Sequence, residues 1–390
     1  MNKHRPSNKH RPFFLMIHRA RSGMTLVELT IGMGLGLGLL VGLISAYSSS
    51  TQSYNRMQAA AQQNEAGRYA IEELRKELQH AGFFGEYHDF PERTTLADPC
   101  SLTTASIEEG LSFAVQGYRV LKTAASSPLS CLPFANIQTG SDIIVVRRAA
   151  TEVLSAANTP TKNEIYIQSN PISYAVQLGD STTFAVGALD ALNDVTVVGT
   201  TADGITATIL KKANTVDAIT RDTSLRLAAD IRKIVTHIYY VSPCSMPANG
   251  GDICTGAEDD RGSPIPTLKR LELVAKSGVL KLKNYPVVEG IERMQIDYGI
   301  DSDSDESEVG RGSPNGYEKS PDISEWDDVV TIKVYLLSRD ITASNDYTDQ
   351  KRFVMGLNGP TDATGDHFRR QLYTSLIRLN NVSGRREVPQ

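Results

Sequence analysis

The longest apolar stretch of the chain begins at Met24 and ends at Ala46. It comprises 23 residues and contains a single charged side chain, that of Glu28. An α-helix rises 1.5 Å per residue, so this stretch would be roughly 35 Å long, enough to cross a bilayer. We therefore predict a membrane-spanning helix close to the N-terminus.

Helical periodicity continues beyond this stretch. Apolar residues recur at helical spacing, namely Ile71, Leu74, Leu78 and Ala81. Gly82 is a suitable helix stop, and one continuous helix from Thr25 to His80 would be roughly 84 Å long. The apolar face of its second half needs a cover, for which a β-sheet is the usual partner.

After Gly82 the pattern changes to short runs that are rich in Val, Ile, Thr and Tyr and are separated by turn residues. Such runs are typical of strands, and their close spacing without intervening helices favours antiparallel sheets. The predicted strands are Leu111–Val115, Asp142–Arg148, Glu164–Gln168, Ile172–Gln177, Thr183–Val186, Asp194–Val198, Ile205–Leu210, Lys233–Val241, Leu268–Val274, Val279–Lys283, Val287–Ile300, Val329–Ser338 and His367–Leu379.

Two segments within this region, residues 116–141 and 149–230, are rich in Ala, Thr, Ser, Asn and Asp. They indicate an insertion that elaborates a smaller core. We place this insertion at about residues 100–230. The predicted fold class is α+β: a long N-terminal helix, membrane-embedded in its first half, packs on a C-terminal antiparallel β-sheet domain with a β-rich insertion.

Charge is distributed unevenly along the chain. Residues 1–23 contain six basic residues and no acidic one, whereas the remainder has 34 basic against 45 acidic residues, a net charge of −11. A body this acidic argues against a nucleic-acid partner, because phosphate binding needs a basic face. The basic flank predicts a single-pass inner-membrane protein with a cytoplasmic N-terminus and a periplasmic body.

A cleaved secretory signal with its cut near Ala46 is the alternative to a membrane anchor. That interpretation gives no reason for Glu28, because an acid within an apolar stretch costs about 2.5 to 3.5 kcal/mol on insertion scales. A cost of this size indicates a functional residue.

All four cysteines lie beyond the membrane helix, at Cys100, Cys131, Cys244 and Cys254. An even number in an exported body fits an oxidising compartment. Three pairings are possible, and Cys100–Cys131 with Cys244–Cys254 is favoured because each pair is local. The inferred export disfavours free thiols, and the absence of closely spaced cysteines disfavours a zinc site.

We find no catalytic motif and predict no enzymatic activity. The histidines show no metal-ligand spacing, and the chain has neither a P-loop nor a nucleophile elbow. Trp326, beside two aspartates, is a candidate sugar contact, although a core tryptophan at a strand entry is favoured.

One acidic run has the composition of a cation site. Asp301, Asp303 and Asp305 supply oxygens at alternate positions, as at the start of a calcium loop. The pattern then departs from such loops, because Glu306 replaces the turn glycine and Gly312 the bidentate glutamate. Calcium is the only cofactor that the sequence proposes, and a solvated acidic loop is the alternative.

The residues around the membrane entry read RARSGMTLVELTIGMGLG. A basic leader that ends in glycine and precedes such a string resembles the signal of type IV prepilins and pseudopilins. The resemblance implies that a prepilin peptidase cuts after Gly23 and methylates the amine of Met24. This chain departs from the family in the residue at Met24, where phenylalanine is preferred, and in the length of its leader.

Glu28 corresponds to the acid at the fifth mature position of that family. A carboxylate in lipid is tolerable beside an opposite charge, and cleavage creates one at the amine of Met24. The resemblance implies that Glu28 neutralises the amine of a neighbouring subunit and sets the filament register. Glycines with small-xxx-small spacing, which permits close helix contact, follow at Gly32, Gly34, Gly36, Gly38 and Gly42.

Six segments of the body together resemble the PilW family of minor pilins and the related GspJ-type pseudopilins. They lie at residues 67–87, 236–241, 268–273, 287–306, 327–340 and 367–381. The resemblance covers most of the core and leaves residues 88–230 poorly covered. It implies several partners: other minor pilins, the major pilin, a PilY-type tip adhesin, the inner-membrane assembly platform and the peptidase.

The sequence therefore predicts a non-enzymatic minor pilin that primes assembly near the pilus tip. Its segments are a leader (1–23), a membrane and filament-core helix (24–46), the amphipathic second half of that helix (47–82) and a periplasmic globular domain (83–390). The alternatives are a GspJ-like pseudopilin of type II secretion and, in a different class, a signal-anchored periplasmic hydrolase or binding protein.

Overall fold

The computed structural model describes residues 23–154, 160–171, 173–179, 196–200, 206–210, 229–276, 279–303 and 310–387. The chain forms two compact units, Met1–Gln58 and Ala59–Gln390. Their boundary lies within helix α1, which spans Leu26–His80. The predicted continuous helix is thereby confirmed.

Two further helices lie among the described residues of the second unit. Helix α2 spans Thr104–Gly110, and its N-cap residue Thr103 accepts a hydrogen bond from the backbone N–H of Ser106. Helix α3 spans Asn380–Glu387. A 3₁₀-helix at Ile323–Asp328 leads directly into a central strand.

The strands of the second unit, in chain order, are β1 (Val115–Tyr118), β2 (Ile143–Ala149), β3 (Ile165–Asn170), β4 (Ser173–Leu178), β5 (Thr196–Thr200), β6 (Thr206–Leu210), β7 (Ile231–Ser242), β8 (Thr267–Lys276), β9 (Val279–Glu289), β10 (Ile291–Ile300), β11 (Gly316–Glu318), β12 (Val329–Arg339) and β13 (Arg370–Arg378).

These strands form three antiparallel sheets. A seven-stranded sheet has the order β1-β2-β7-β3-β4, with β8 paired to β7 and β9 paired to β8. A four-stranded sheet has the order β11-β10-β12-β13, and β5 and β6 form a separate pair. The predicted α+β class, a long apolar helix followed by antiparallel sheets, is confirmed.

The main core lies where the second half of α1 meets the two larger sheets. Ala70, Leu74 and Leu78 are fully buried and share one apolar cluster with side chains of both sheets. Among these are Ile144 and Tyr239 of the seven-stranded sheet. Two smaller clusters lie elsewhere in the seven-stranded sheet. The helix face that needed a cover is thus covered by both sheets.

Three strand predictions need correction, and one strand was missed. Leu111 caps α2, so the first strand begins only at Val115. The predicted strand Val287–Ile300 is divided by Gly290, whose positive φ of 81° turns the chain from one sheet into the other. The last strand starts at Arg370 rather than His367, and β11 was not predicted. Thr183–Val186 lies outside the described residues.

Candidate processing and assembly sites

The first turn of α1 contains a capping box. The backbone N–H and the hydroxyl of Thr25 both donate to the Glu28 carboxylate, at 3.0 Å each, and the Glu28 N–H donates to the Thr25 hydroxyl oxygen at 3.2 Å. Such a reciprocal pair satisfies N–H groups that a helix start leaves without intrahelical partners. Glu28 therefore has a local task, and the T-x-x-E spacing was the sequence signal that could have revealed it.

Gly23 and Met24 precede this box, and the Met24 side chain is exposed. Residues 1–22 of the predicted leader lie outside the described residues. The expected cleavage point, between Gly23 and Met24, thus lies one residue before Thr25, the first residue of the capping box, and the Met24 side chain beside it is exposed.

The apolar part of α1 is exposed in the described part of the chain. Its most apolar 18-residue window has a mean hydropathy of 2.0, and none of it is buried. The five glycines from Gly32 to Gly42 have nothing within 4 Å of an added Cβ atom. No contact among the described residues therefore requires these positions to be small. The open surface at the glycines can accommodate another helix or lipid.

In the second unit, α1 presents a narrow buried stripe to the sheets. The buried positions are Gln63, Gly67, Ala70, Leu74, Glu77 and Leu78, a spacing of three and four residues. At Gly67 the Tyr373 ring comes so close that a Cβ atom would lie 2.2 Å from it. The Tyr373 hydroxyl also donates to the side-chain oxygen of Asn64 at 2.8 Å.

A charged cluster anchors the same helix to the seven-stranded sheet. The Glu77 carboxylate pairs with the Arg148 guanidinium at 3.0 Å and with Nδ1 of His237 at 2.8 Å. Burial alone would raise the pKa of Glu77, but the hydrogen bonds and charges of His237 and Arg148 outweigh it and lower the pKa to about 2. One turn earlier, Glu73 pairs with Arg270 at 2.7 Å. Sequence reasoning missed this cluster, because its members lie far apart in the chain.

The acidic run after β10 meets a cation of the chain itself. The Asp301 carboxylate is fully buried and accepts hydrogen bonds from the Gly312 N–H at 2.7 Å and the Asp303 N–H at 3.1 Å. Nε of Arg386, on α3, pairs with the same carboxylate at 2.7 Å. The guanidinium also pairs with Asp328 and donates to the backbone oxygens of Asp301 and Asp303.

Burial would raise the pKa of Asp301, but the donors from Gly312, Arg386 and Asp303 lower it overall. Asp303 accepts a hydrogen bond from the Asn315 side chain at 2.8 Å. Asp305, the third predicted calcium ligand, lies outside the described residues. The calcium site stays a prediction, and Arg386 is the competing cation that the sequence did not reveal.

The structure contains both favoured disulfides. Cys100 is bonded to Cys131, with their Cα atoms 5.3 Å apart, and Cys244 is bonded to Cys254, with a Cα separation of 5.9 Å. Among the described residues, the group with metal-like geometry is Cys244, Cys254 and Asp259. Its two sulfurs are bonded to each other, and Asp259 accepts four hydrogen bonds from neighbouring loop residues, so this group is a structural loop anchor.

Arg370 organises the 30-residue connection between β12 and β13. Its side chain is almost fully buried and pairs with Asp349 at 2.9 Å and with Asp366 at 2.6 Å, both from the connection itself. It also pairs with Glu292 of β10. The three carboxylates that pair with this guanidinium stabilise a connection whose regular secondary structure is the short 3₁₀-helix Gly356–Asn358.

Trp326 lies in the 3₁₀-helix before β12 and is buried. Its ring packs edge-on against that of Tyr298 of β10, with ring centroids 4.8 Å apart. The favoured interpretation, a core tryptophan at a strand entry, is confirmed, and a ring this deeply buried offers little surface to a sugar.

Comparison with known proteins gives one match. The family model of Type IV Pilus-assembly protein W matches residues 253–381, the segment that contains strands β8 to β13 and with them the whole four-stranded sheet. No curated protein and no solved structure matched the chain. Four of the six resembling segments lie mostly or wholly within the matched region. This match, over about a third of the chain, supports a PilW-family type IV pilus protein.

Proposed function

We propose that the chain is a minor pilin, a structural and priming subunit that is cleaved between Gly23 and Met24 and built into a type IV pilus near its tip. The observation that carries this proposal is a PilW-family body that follows an apolar helix whose surface is unburied. A soluble enzyme has no use for such a helix, whereas a subunit that moves from a membrane into a filament needs its apolar surface in both places.

The start of the helix supports the processing step. Cleavage after Gly23 leaves Met24 as the single residue before the Thr25–Glu28 capping box. A new positive amine then lies at the N-terminal end of a helix, beside an acid that is already oriented towards that end. A positive charge at a helix N-terminus is unfavourable because of the helix dipole, so a carboxylate nearby offsets it.

The body supports a binding role rather than a catalytic one. Two of its buried charges, those of Glu77 and Arg370, form ion pairs. Glu77 joins helix α1 to the seven-stranded sheet, and Arg370 holds the long connection between β12 and β13. We propose that its partners are other minor pilins, the major pilin, a PilY-type tip adhesin, the inner-membrane platform and the prepilin peptidase. The proposed location is the inner membrane with a periplasmic body before assembly, and the pilus afterwards.

N-terminal sequencing of the mature chain, with intact mass, tests the proposal. Mature protein should begin at a methylated Met24, and Gly23→Val should retain the leader and be absent from sheared filaments. Gly316→Val, at a glycine of the body with open space around an added Cβ atom, is the matched control and should be processed and recovered normally. A mature terminus near Ala46 would contradict the pilin assignment.

A further inference from the structure

A rigidly held loop and a neighbouring strand connection form a small cleft at one side of the second unit. The cleft has a volume of about 190 Å³, and its walls come from residues 119–122, from β10 and from residues 355–361. The last segment belongs to the β12–β13 connection that Arg370 holds at both ends, through Asp349 and Asp366. Long connections with little regular structure are usually functional in compact domains.

The hydrogen bonds across the cleft fix these segments relative to one another. A guanidinium N–H of Arg119 donates to the side-chain oxygen of Asn358, whose amide in turn donates to Gln295 of β10. Val354 and Pro360 form a β-bridge that closes the loop tip. The surface that the loop presents is therefore preorganised, which lowers the entropic cost of binding.

Positive charge predominates around the cleft, although the body as a whole is acidic. Arg119, Lys122 and Arg293 line it together with one buried acid, Asp142, and Arg352 and Arg293 both act electrostatically on a nearby exposed acid, Asp362. Lys122 pairs with Asp362 at 2.9 Å, and the pair is exposed. A concentration of positive charge on a body with net charge −11 selects for an acidic partner and speeds its approach.

Exposed aliphatic side chains accompany these cations. Leu121 is 53% exposed, Val354 62% and Leu357 47%. Aliphatic groups surrounded by arginines are typical of protein interfaces, in which apolar contacts at the centre contribute most of the affinity. A long polyanion such as nucleic acid fits less well, because four cations on an acidic body neutralise few phosphates.

We propose that this surface, the basic cleft lined by Arg119, Leu121, Lys122 and Arg293 with Arg352 and Leu357 of the adjoining connection, docks a protein segment that carries Asp or Glu beside aliphatic side chains. The carboxylates would pair with the cations at the rim, and the aliphatic groups would cover Leu121 and Leu357. This docking role deepens the proposed function. It rests on that function in one respect, that the partner is another subunit of the pilus or of its tip complex.

Photocrosslinking in piliated cells tests the proposal with the full-length chain. The probe is p-benzoylphenylalanine, introduced in separate variants at Leu121 and at Leu357, and the crosslinked peptide is identified by mass spectrometry. We expect a protein segment that contains Asp or Glu. Combining the probe at Leu121 with Arg119→Glu and Lys122→Glu should lower the crosslink yield on the order of tenfold, because the electrostatic complementarity is reversed.

The control is Lys281→Glu with Lys283→Glu on the distant strand β9, which should leave the yield unchanged. A crosslink to lipid, to nucleic acid or to a segment without acidic residues would overturn the proposal. So would a yield that withstands the charge reversal, or the absence of any crosslink in chains that are processed and recovered in filaments. Processing and filament recovery are scored separately, so failure of the proposed function itself remains distinguishable.

Discussion

At the scale of single residues, the capping task of Glu28 and its proposed registration task depend on different properties of the carboxylate. As part of the capping box it needs only an acceptor oxygen for Thr25. As a registration charge between subunits it needs its negative charge. Substitutions that remove one property and keep the other therefore separate the two tasks.

Glu28→Gln keeps an acceptor for Thr25 and removes the charge, Thr25→Val removes the capping hydroxyl and keeps the charge, and Glu28→Ala removes both. If Glu28 registers subunits, as we expect, Gln and Ala should both lower incorporation into sheared filaments, whereas Thr25→Val should be incorporated almost normally. Quantitative immunoblots of filament and membrane fractions give the measurement. Normal incorporation of Glu28→Gln would reduce the role of Glu28 to helix capping, which is worth about 0.5–2 kcal/mol.

Arg386 is the cation that would compete with calcium for the acidic run that begins at Asp301. Its guanidinium neutralises the fully buried Asp301, so Arg386→Gln should destabilise the body by about 3–5 kcal/mol, the usual loss when one partner of a buried pair is removed. If the run binds calcium, millimolar calcium should raise the Tm of this variant more than that of the unaltered chain, because the competing cation is gone.

Thermal melts with calcium and then with a chelator provide the measurement. Magnesium at equal concentration controls for ionic strength, and Arg385→Gln controls for loss of a charge on the same helix. Equal Tm values with calcium and chelator in both chains would show that the calcium prediction is wrong.

At the scale of elements, the two parts of α1 use glycine in opposite ways. Gly36 has open space where a Cβ atom would stand, whereas Gly67 lies against the Tyr373 ring. Helix propensity favours alanine over glycine by about 1 kcal/mol at either position. Packing alone therefore distinguishes the two sites.

Gly67→Ala should destabilise the body by about 1–3 kcal/mol, since overpacking forces the Tyr373 ring to move and outweighs the gain in propensity. Gly36→Ala should leave the unfolding of the body unchanged. Denaturant melts of both variants give the comparison, and Tyr373→Ala completes a double-mutant cycle. If Gly67→Ala is as stable as the unaltered chain, the close approach of helix and sheet is wrong.

At the scale of the whole molecule, Asp142 joins the two larger sheets at the start of β2. Its backbone N–H donates to the Met294 oxygen at 2.8 Å, and its carboxylate accepts the Ile296 N–H at 3.0 Å, both from β10. Burial raises the pKa of Asp142 to about 7, although the Ile296 N–H and the charge of Arg119 oppose the shift, and the charge of Asp297 adds to it. The joint between the sheets is therefore sensitive to pH near neutrality.

A raised pKa in the folded state means that Asp142 stabilises the fold fully below about pH 4, and that this contribution is lost as pH rises towards 7. Asp142→Asn keeps the acceptor for Ile296 and cannot ionise. Its stability relative to the unaltered chain should therefore increase between pH 5 and pH 8, by about 2–3 kcal/mol at roughly 1.4 kcal/mol per pKa unit.

Chemical denaturation at a series of pH values checks this expectation. Asp362→Asn is the matched control, because Asp362 is exposed and the hydrogen bond and charge of Lys122 lower its pKa. That variant should show no such increase. A difference between Asp142→Asn and the unaltered chain that is constant from pH 5 to pH 8 would contradict the ionisation of a buried acid at this joint.

Several features were predictable because their determinants are local. The apolar run fixed α1, alternation of apolar residues placed most strands, and short separations favoured the two cysteine pairs that the structure contains. The errors also have local causes. Val287–Ile300 has one strand-like pattern throughout, and only the positive φ of Gly290 reveals that the chain changes sheets there.

The sequence by itself determined the long apolar helix, the α+β class and the resemblance to PilW, and it is the source of the proposed processing signal, since each depends on neighbouring residues or on periodicity. Only the tertiary structure decided that Arg386 meets Asp301, that Glu77 meets His237, that Gly67 meets Tyr373 and that the cations of the basic cleft come together. These partners lie on different elements, between 85 and about 300 residues apart in the first three pairs. Spacing along a chain carries no information about which distant side chains a fold brings within 3 Å, because packing of the sheets and the helix sets that distance.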